Sequence, residues 1–83
     1  MTASLSDIKG WLERAKNEGA THLIIAVDTF DFDNYPVYVT EKENVEKEYE
    51  RIISSSMQGV DEVYNLSMDI NKQLKEHRAM HID

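Results

Sequence analysis

Leu23-Ile24-Ile25-Ala26-Val27 is a nearly continuous, β-branched apolar run, and in an 83-residue chain without cysteine it dictates most of the architecture. A strand with apolar side chains on both sides belongs at the centre of a sheet and needs cover on both faces. No disulfide or thiolate metal site can supplement the core, so packing alone must hold it. A chain this short forms one domain, residues 1–83, and buries only roughly 60–65% of its unfolded surface, which argues against a deep catalytic cleft.

Around that strand the punctuation is regular. Leu5, Ile8, Trp11, Leu12 and Ala15 recur at helical spacing, Ser4 and Asp7 resemble a capping box, and Gly19 supplies a stop, which predicts a first helix over 5–18. Residues 21–29 and 35–40 read as antiparallel strands, with Pro36 near a strand start or on an edge. Thr40 and Glu43 form a second capping box and predict a helix over 41–54, with Val45, Tyr49, Ile52 and Ile53 as its buried stripe. Residues 57–66 fit a strand, or a helix bearing Met57, Val60, Tyr64 and Met68 on one side. Gly59 and the β-branched residues favour the strand. Ser67 then caps a last helix from Met68 to His77 or beyond, with Ile70 and Leu74 inward. The expected fold is α+β, in the order αββαβα, with a three-stranded, mainly antiparallel sheet packed on helices.

Charge narrows the function classes. The net charge is −7, and residues 20–40 carry Asp28, Asp31 and Asp33 without a lysine or arginine. Residues 52–70 carry Asp61, Glu62 and Asp69, again without a base. Such a field disfavours direct binding to DNA or RNA and favours a basic protein surface. The same acidity also serves solubility. No apolar leader and no bilayer-length run is present, so a cytoplasmic location without membrane contact is expected.

The segment Asp28-Thr29-Phe30-Asp31-Phe32-Asp33-Asn34-Tyr35 joins the first two strands and interleaves three acids with aromatics. A hairpin turns on a few polar or glycine residues, so this composition points to a contact surface. If Phe30 and Phe32 face the core they are ordinary packing; if exposed, they can fill a partner's pocket or stack on a base. Tyr35, Tyr38, Asp61 and Glu62 complete the candidate binding set. The acids do not match a calcium loop, since Asn34 is followed by Tyr35-Pro36 where that motif requires glycine. His77 and His81 are four apart, yet Arg78 stands where a zinc protease places its general base, and basic groups near a helix end complement its dipole. His22 has no neighbouring nucleophile, so neither a catalytic residue, a metal nor a cofactor is expected. The strand pairing is expected to place His22, Ile24, Ala26 and Tyr38 on one face, too apolar for water, to be covered by helices or by a second copy in a homodimer.

Gly19-Ala20-Thr21-His22, Asp28-Thr29-Phe30-Asp31, Tyr35-Pro36-Val37-Tyr38-Val39, Glu62-Val63-Tyr64 and Gln73-Leu74-Lys75-Glu76-His77-Arg78-Ala79 carry a resemblance to small acidic proteins of bacteriophages and bacterial mobile elements. The resemblance spans roughly three quarters of the chain and brings no biochemistry for any residue. It implies a non-enzymatic protein of the bacterial host cytosol that binds and inhibits a host defence complex. Its acidic, aromatic surface would meet a basic partner, with Asp28, Asp31, Asp33, Asp61 and Glu62 standing where phosphates would. The alternatives are an oligomeric sponge for a signalling nucleotide, with Lys72, Lys75 or Arg78 holding its phosphates, and a minor structural or accessory phage protein.

Overall fold

Helix α1, Leu5–Asn17, starts at the expected box: the Asp7 amide donates to Ser4 Oγ at 3.2 Å, and the Ser4 amide donates to the Asp7 carboxylate at 3.0 Å. It stops at Gly19, whose φ of +73° is a left-handed turn that glycine makes without strain. The structure, a computed structural model, describes residues 3–76 and 78–82. Strands β1 (Ala20–Asp28), β2 (Asn34–Thr40) and β3 (Gln58–Asn65) form one antiparallel sheet in the order β2-β1-β3. The apolar run is therefore the central strand, as its composition requires.

Register assigns the two faces. Leu23 lies opposite Tyr38 and Tyr64, whereas Ile24 lies opposite Val37 and Val63. On the first face Leu23, Ile25 and Tyr64 pack with Leu12 and Ala15 of α1 and with Ile70 and Leu74 of the short helix α3, Ile70–Leu74. On the second, Ile24, Ala26, Val39, Val60 and Val63 pack under Ile52, Val45 and Tyr49 of α2, Val45–Ser54. Leu23, Ile24 and Ile25 are essentially inaccessible, and each such side chain contributes roughly 1.5–3 kcal/mol by transfer from water.

Four expectations need correction. Glu43 does reach back to the Thr40 amide at 3.0 Å, but its own amide donates to the Thr40 carbonyl and the Thr40 hydroxyl donates to its carboxylate, so the pair closes a turn at the end of β2 and makes no capping box; α2 starts later, where Asn44 Oδ1 accepts from Glu46 and Lys47. Ile53 is 48% exposed and does not belong to the buried stripe of α2. Ser67 binds Asn65 Oδ1 and caps no helix, because Asp69 takes that place and α3 ends at Leu74. Tyr38 projects to the opposite face from Ile24 and Ala26, and α2 packs over the latter.

Beyond α3 the chain runs along the outer edge of β3. The Val63 amide donates to the Ala79 carbonyl and the His81 amide to the Val63 carbonyl, both at 2.9 Å. Arg78 donates to the carbonyls of Val60 and Asp61, each at 3.0 Å. Buried Gln73 closes the far end, accepting from the Asn65 amide and donating to the Asn65 carbonyl, each at 2.8 Å. An edge that would pair with any extended chain is thereby closed.

Candidate functional site

The β1–β2 connection is built by its own acids. The Asp28 amide donates to the Asp33 carbonyl at 2.9 Å, and the Phe32 amide donates to the Asp28 carbonyl at 2.6 Å. Asp28 Oδ1 accepts from the Phe30 amide at 2.8 Å, and Asp31 Oδ1 accepts from the Asp33 amide at 3.2 Å. Both are Asx turns, in which a carboxylate replaces a backbone acceptor and keeps its charge. Asp28 and Asp31 thus have a structural task as well as a field.

The phenylalanines are outside: Phe30 is 77% and Phe32 64% exposed. Phe32 sits at φ +60°, a left-handed conformation that costs a non-glycine residue of order 1–3 kcal/mol. Met57, at φ +62° and 53% exposed, is the second such residue, and the hydrogen bond from the Thr29 amide to its carbonyl at 2.9 Å sets it beside the loop. Ile53, in the last turn of α2, is exposed as well. The result is an apolar tip, carrying Phe30, Phe32 and Met57, within the field of Asp28, Asp31 and Asp33. Met57 was not legible as part of it, since only tertiary pairing of β1 with β3 brings it there.

The other sequence-chosen residues disperse. Tyr35 remains near the tip: it reaches over small Ala26 and donates its hydroxyl to Gln58 Oε1 at 2.7 Å. Tyr38 packs against the α1-side core. Asp61 accepts from Asn34 Nδ2 at 2.7 Å, and Glu62 accepts from the Tyr64 hydroxyl at 2.8 Å and the Ala79 amide at 3.2 Å. These two carboxylates line a separate recess with Ile8, Ile25 and Arg78. Burial, reinforced by the hydrogen bond to Glu62, pushes the Tyr64 hydroxyl above its ordinary pKa. Asp61 is thus tied to Asn34, the residue after Asp33, while Glu62 is engaged by Tyr64 and Ala79.

Among the described residues no three His, Asp or Glu side chains gather as a metal site, and no helix is long and apolar enough to cross a membrane. The His77–His81 pairing lies outside the described residues; His81 itself pairs with Glu76 at 2.8 Å. Arg78, considered for a nucleotide phosphate, is engaged by the β3 carbonyls. Comparison of the chain with models of protein families, with curated proteins and with solved structures returned no match.

Proposed function

We propose that the chain is a non-enzymatic binding protein that inserts its β1–β2 loop into an apolar pocket rimmed by basic groups on a host protein. The observation that carries this reading is the exposure of both Phe30 and Phe32 on a turn whose backbone is tied down by Asp28 and Asp31. Aromatic anchors held in place before contact lose little entropy on docking, and surrounding carboxylates select a basic rim and speed encounter. The phage-type resemblance supplies the setting: a host defence complex in the bacterial cytosol, inhibited by occupation of its groove. Asp61 and Glu62 lie outside the docking surface in this reading.

Immobilised protein exposed to bacterial lysate is expected to retain a basic partner at low salt. Retention falls as salt rises. It is lost both with Phe30→Ser/Phe32→Asn and with Asp31→Asn/Asp33→Asn. Retention that ignores either pair of substitutions overturns the reading. A thermal shift with cyclic or linear nucleotides, in place of retention, would support the sponge instead.

A further inference from the structure

The sheet has two outer edges, and the residues 78–81 that close β3 leave the edge of β2 as it is. The hairpin turn fixes which backbone groups of β2 look outward. Because the Asp28 amide donates to the Asp33 carbonyl, alternation bonds Tyr35, Val37 and Val39 to β1 and turns the backbone groups of Asn34, Pro36 and Tyr38 away from it. The same alternation turns Val63 outward on the far side of β1, where the Ala79 carbonyl and the His81 amide meet it. On β2, among the described residues, no group bonds the outward amide and carbonyl of Tyr38 or the carbonyl of Pro36. Only Thr40, at the strand's end, is closed, by the carboxylate and the amide of Glu43.

Open edges are ordinarily guarded by charged side chains, and β2, Asn34–Thr40, carries none. Its guard is Pro36, and the guard is selective. Two copies of β2 paired about a two-fold axis with Asn34 opposite Tyr38 set Pro36 against Pro36, and neither supplies a donor. A register centred on Tyr38 sets Pro36 against Thr40, whose groups Glu43 already holds. Repulsion between chains of charge −7 acts in the same direction. A strand of another sequence can place an amide opposite the Pro36 carbonyl, so a second copy is disfavoured where a foreign chain is admitted. We propose that β2 takes an extended, basic segment of another protein as a fourth strand of the sheet. The backbone supplies affinity, since Tyr38 gives and receives a bond and Pro36 receives one. Charge supplies the choice of partner: residues 20–40 hold three acids and no base, and Arg14 of α1, which interacts with Tyr38, is paired with Glu18 at 2.9 Å. The inference does not rest on the loop or on the host partner.

Amide hydrogen exchange of the free protein is expected to be fast at Tyr38 between protected Val37 and Val39. A short peptide of alternating lysine and valine, added to millimolar concentration, should then slow the Tyr38 amide at least about tenfold. The same peptide N-methylated at every residue keeps its charge and loses its donors, and it is expected to leave Tyr38 exchanging as in the free protein. Pro36→Val restores the missing donor, and at a circular dichroism spectrum matching the parent's it should bind the unmethylated peptide about three- to tenfold more tightly. Slow exchange at Tyr38 in the free protein overturns the proposal. So does equal binding of the two peptides, or a Pro36→Val variant that binds no better, because attraction by charge alone would then account for the contact. Protection of Tyr38 that grows with the concentration of the protein alone also overturns it, since a second copy is then the occupant. The peptide reports on β2 alone, and lysate retention that depends on Phe30 reports on the loop alone, so either reading can fail without the other.

Discussion

The outer edge of β3 and the tip of the β1–β2 hairpin treat their side chains in opposite ways. At the edge a polar side chain is buried: Gln73, 2% exposed, meets both backbone groups of Asn65, while Arg78 and residues 79–81 meet the rest. At the tip, the chain's only two phenylalanines stand in water, one of them in a strained backbone conformation. Stability alone would invert this arrangement, because a buried phenylalanine contributes more than a buried glutamine. The edge is solved for folding. The tip has the features of a surface kept for contact, and its exposure is not forced by a chain unable to bury large groups, since Tyr64 is buried at full length.

If the edge is structural, it should fail heavily when opened. Gln73→Ala removes both side-chain hydrogen bonds to the Asn65 backbone while the carbonyl keeps the Met68 amide at 3.2 Å, so a loss of about 2 kcal/mol is expected in urea unfolding. A loss below about 1 kcal/mol would show that water enters and replaces the amide, and the contrast with the tip would vanish.

Tyr64 sharpens the same point through pH. Its hydroxyl titrates above the unfolded value, so the folded protein holds this proton longer than the unfolded chain does. The stability it confers is fully present below about pH 10 and declines as pH rises from there towards the folded pKa, by about 1.4 kcal/mol by pH 11. Urea midpoints compared between the parent and Tyr64→Phe at pH 8 and pH 11 should show the parent losing more. Parallel loss in both would mean that the contact with Glu62 opens in solution.

The layout of the fold was legible where local chemistry and tertiary demand agree. The apolar run at Leu23–Val27, the box at Ser4–Asp7 and the stop at Gly19 each act within a few residues, and each is found where expected. Residues 68–77 misled because two caps compete there: Ser67 is drawn to Asn65, Asp69 takes the helix, and the chain leaves it after Leu74 to reach β3. Likewise Thr40 and Glu43 make a turn in place of a capping box, since Thr40 is still held in the sheet and its hydroxyl donates to the Glu43 carboxylate. The loop was legible as an acidic and aromatic segment, but neither the exposure of its rings nor the left-handed turn at Phe32 has a signal in the residue types. Asp61 and Glu62 meet the foot of the loop at Asn34, in a recess that only the register of β3 on β1 assembles.

At the tip, relief of strain should be visible and modest. Phe32→Gly removes the left-handed penalty and adds backbone freedom to the unfolded chain, so the two effects partly offset and a net gain of about 0.5–1 kcal/mol is expected. A loss of similar size would show that the ring of Phe32 packs on the fold and that the tip is less available than its exposure implies.

The smallest expected change in stability belongs to Phe30→Ser, and it is the sharpest test of the contrast. Phe30 is the most exposed large apolar side chain described here, and its backbone is held by Asp28 Oδ1 whatever side chain it carries. Removing the ring therefore deletes almost no packing, and a change within about 0.5 kcal/mol is expected from urea unfolding. The same substitution deletes an aromatic anchor from any interface at the loop, where a truncation of this kind costs about 2 kcal/mol or more. A variant as stable as the parent that also loses partner retention would place Phe30 in recognition. One destabilised by more than about 1 kcal/mol would place it in the fold, beside Gln73, and the two regions would no longer differ in kind.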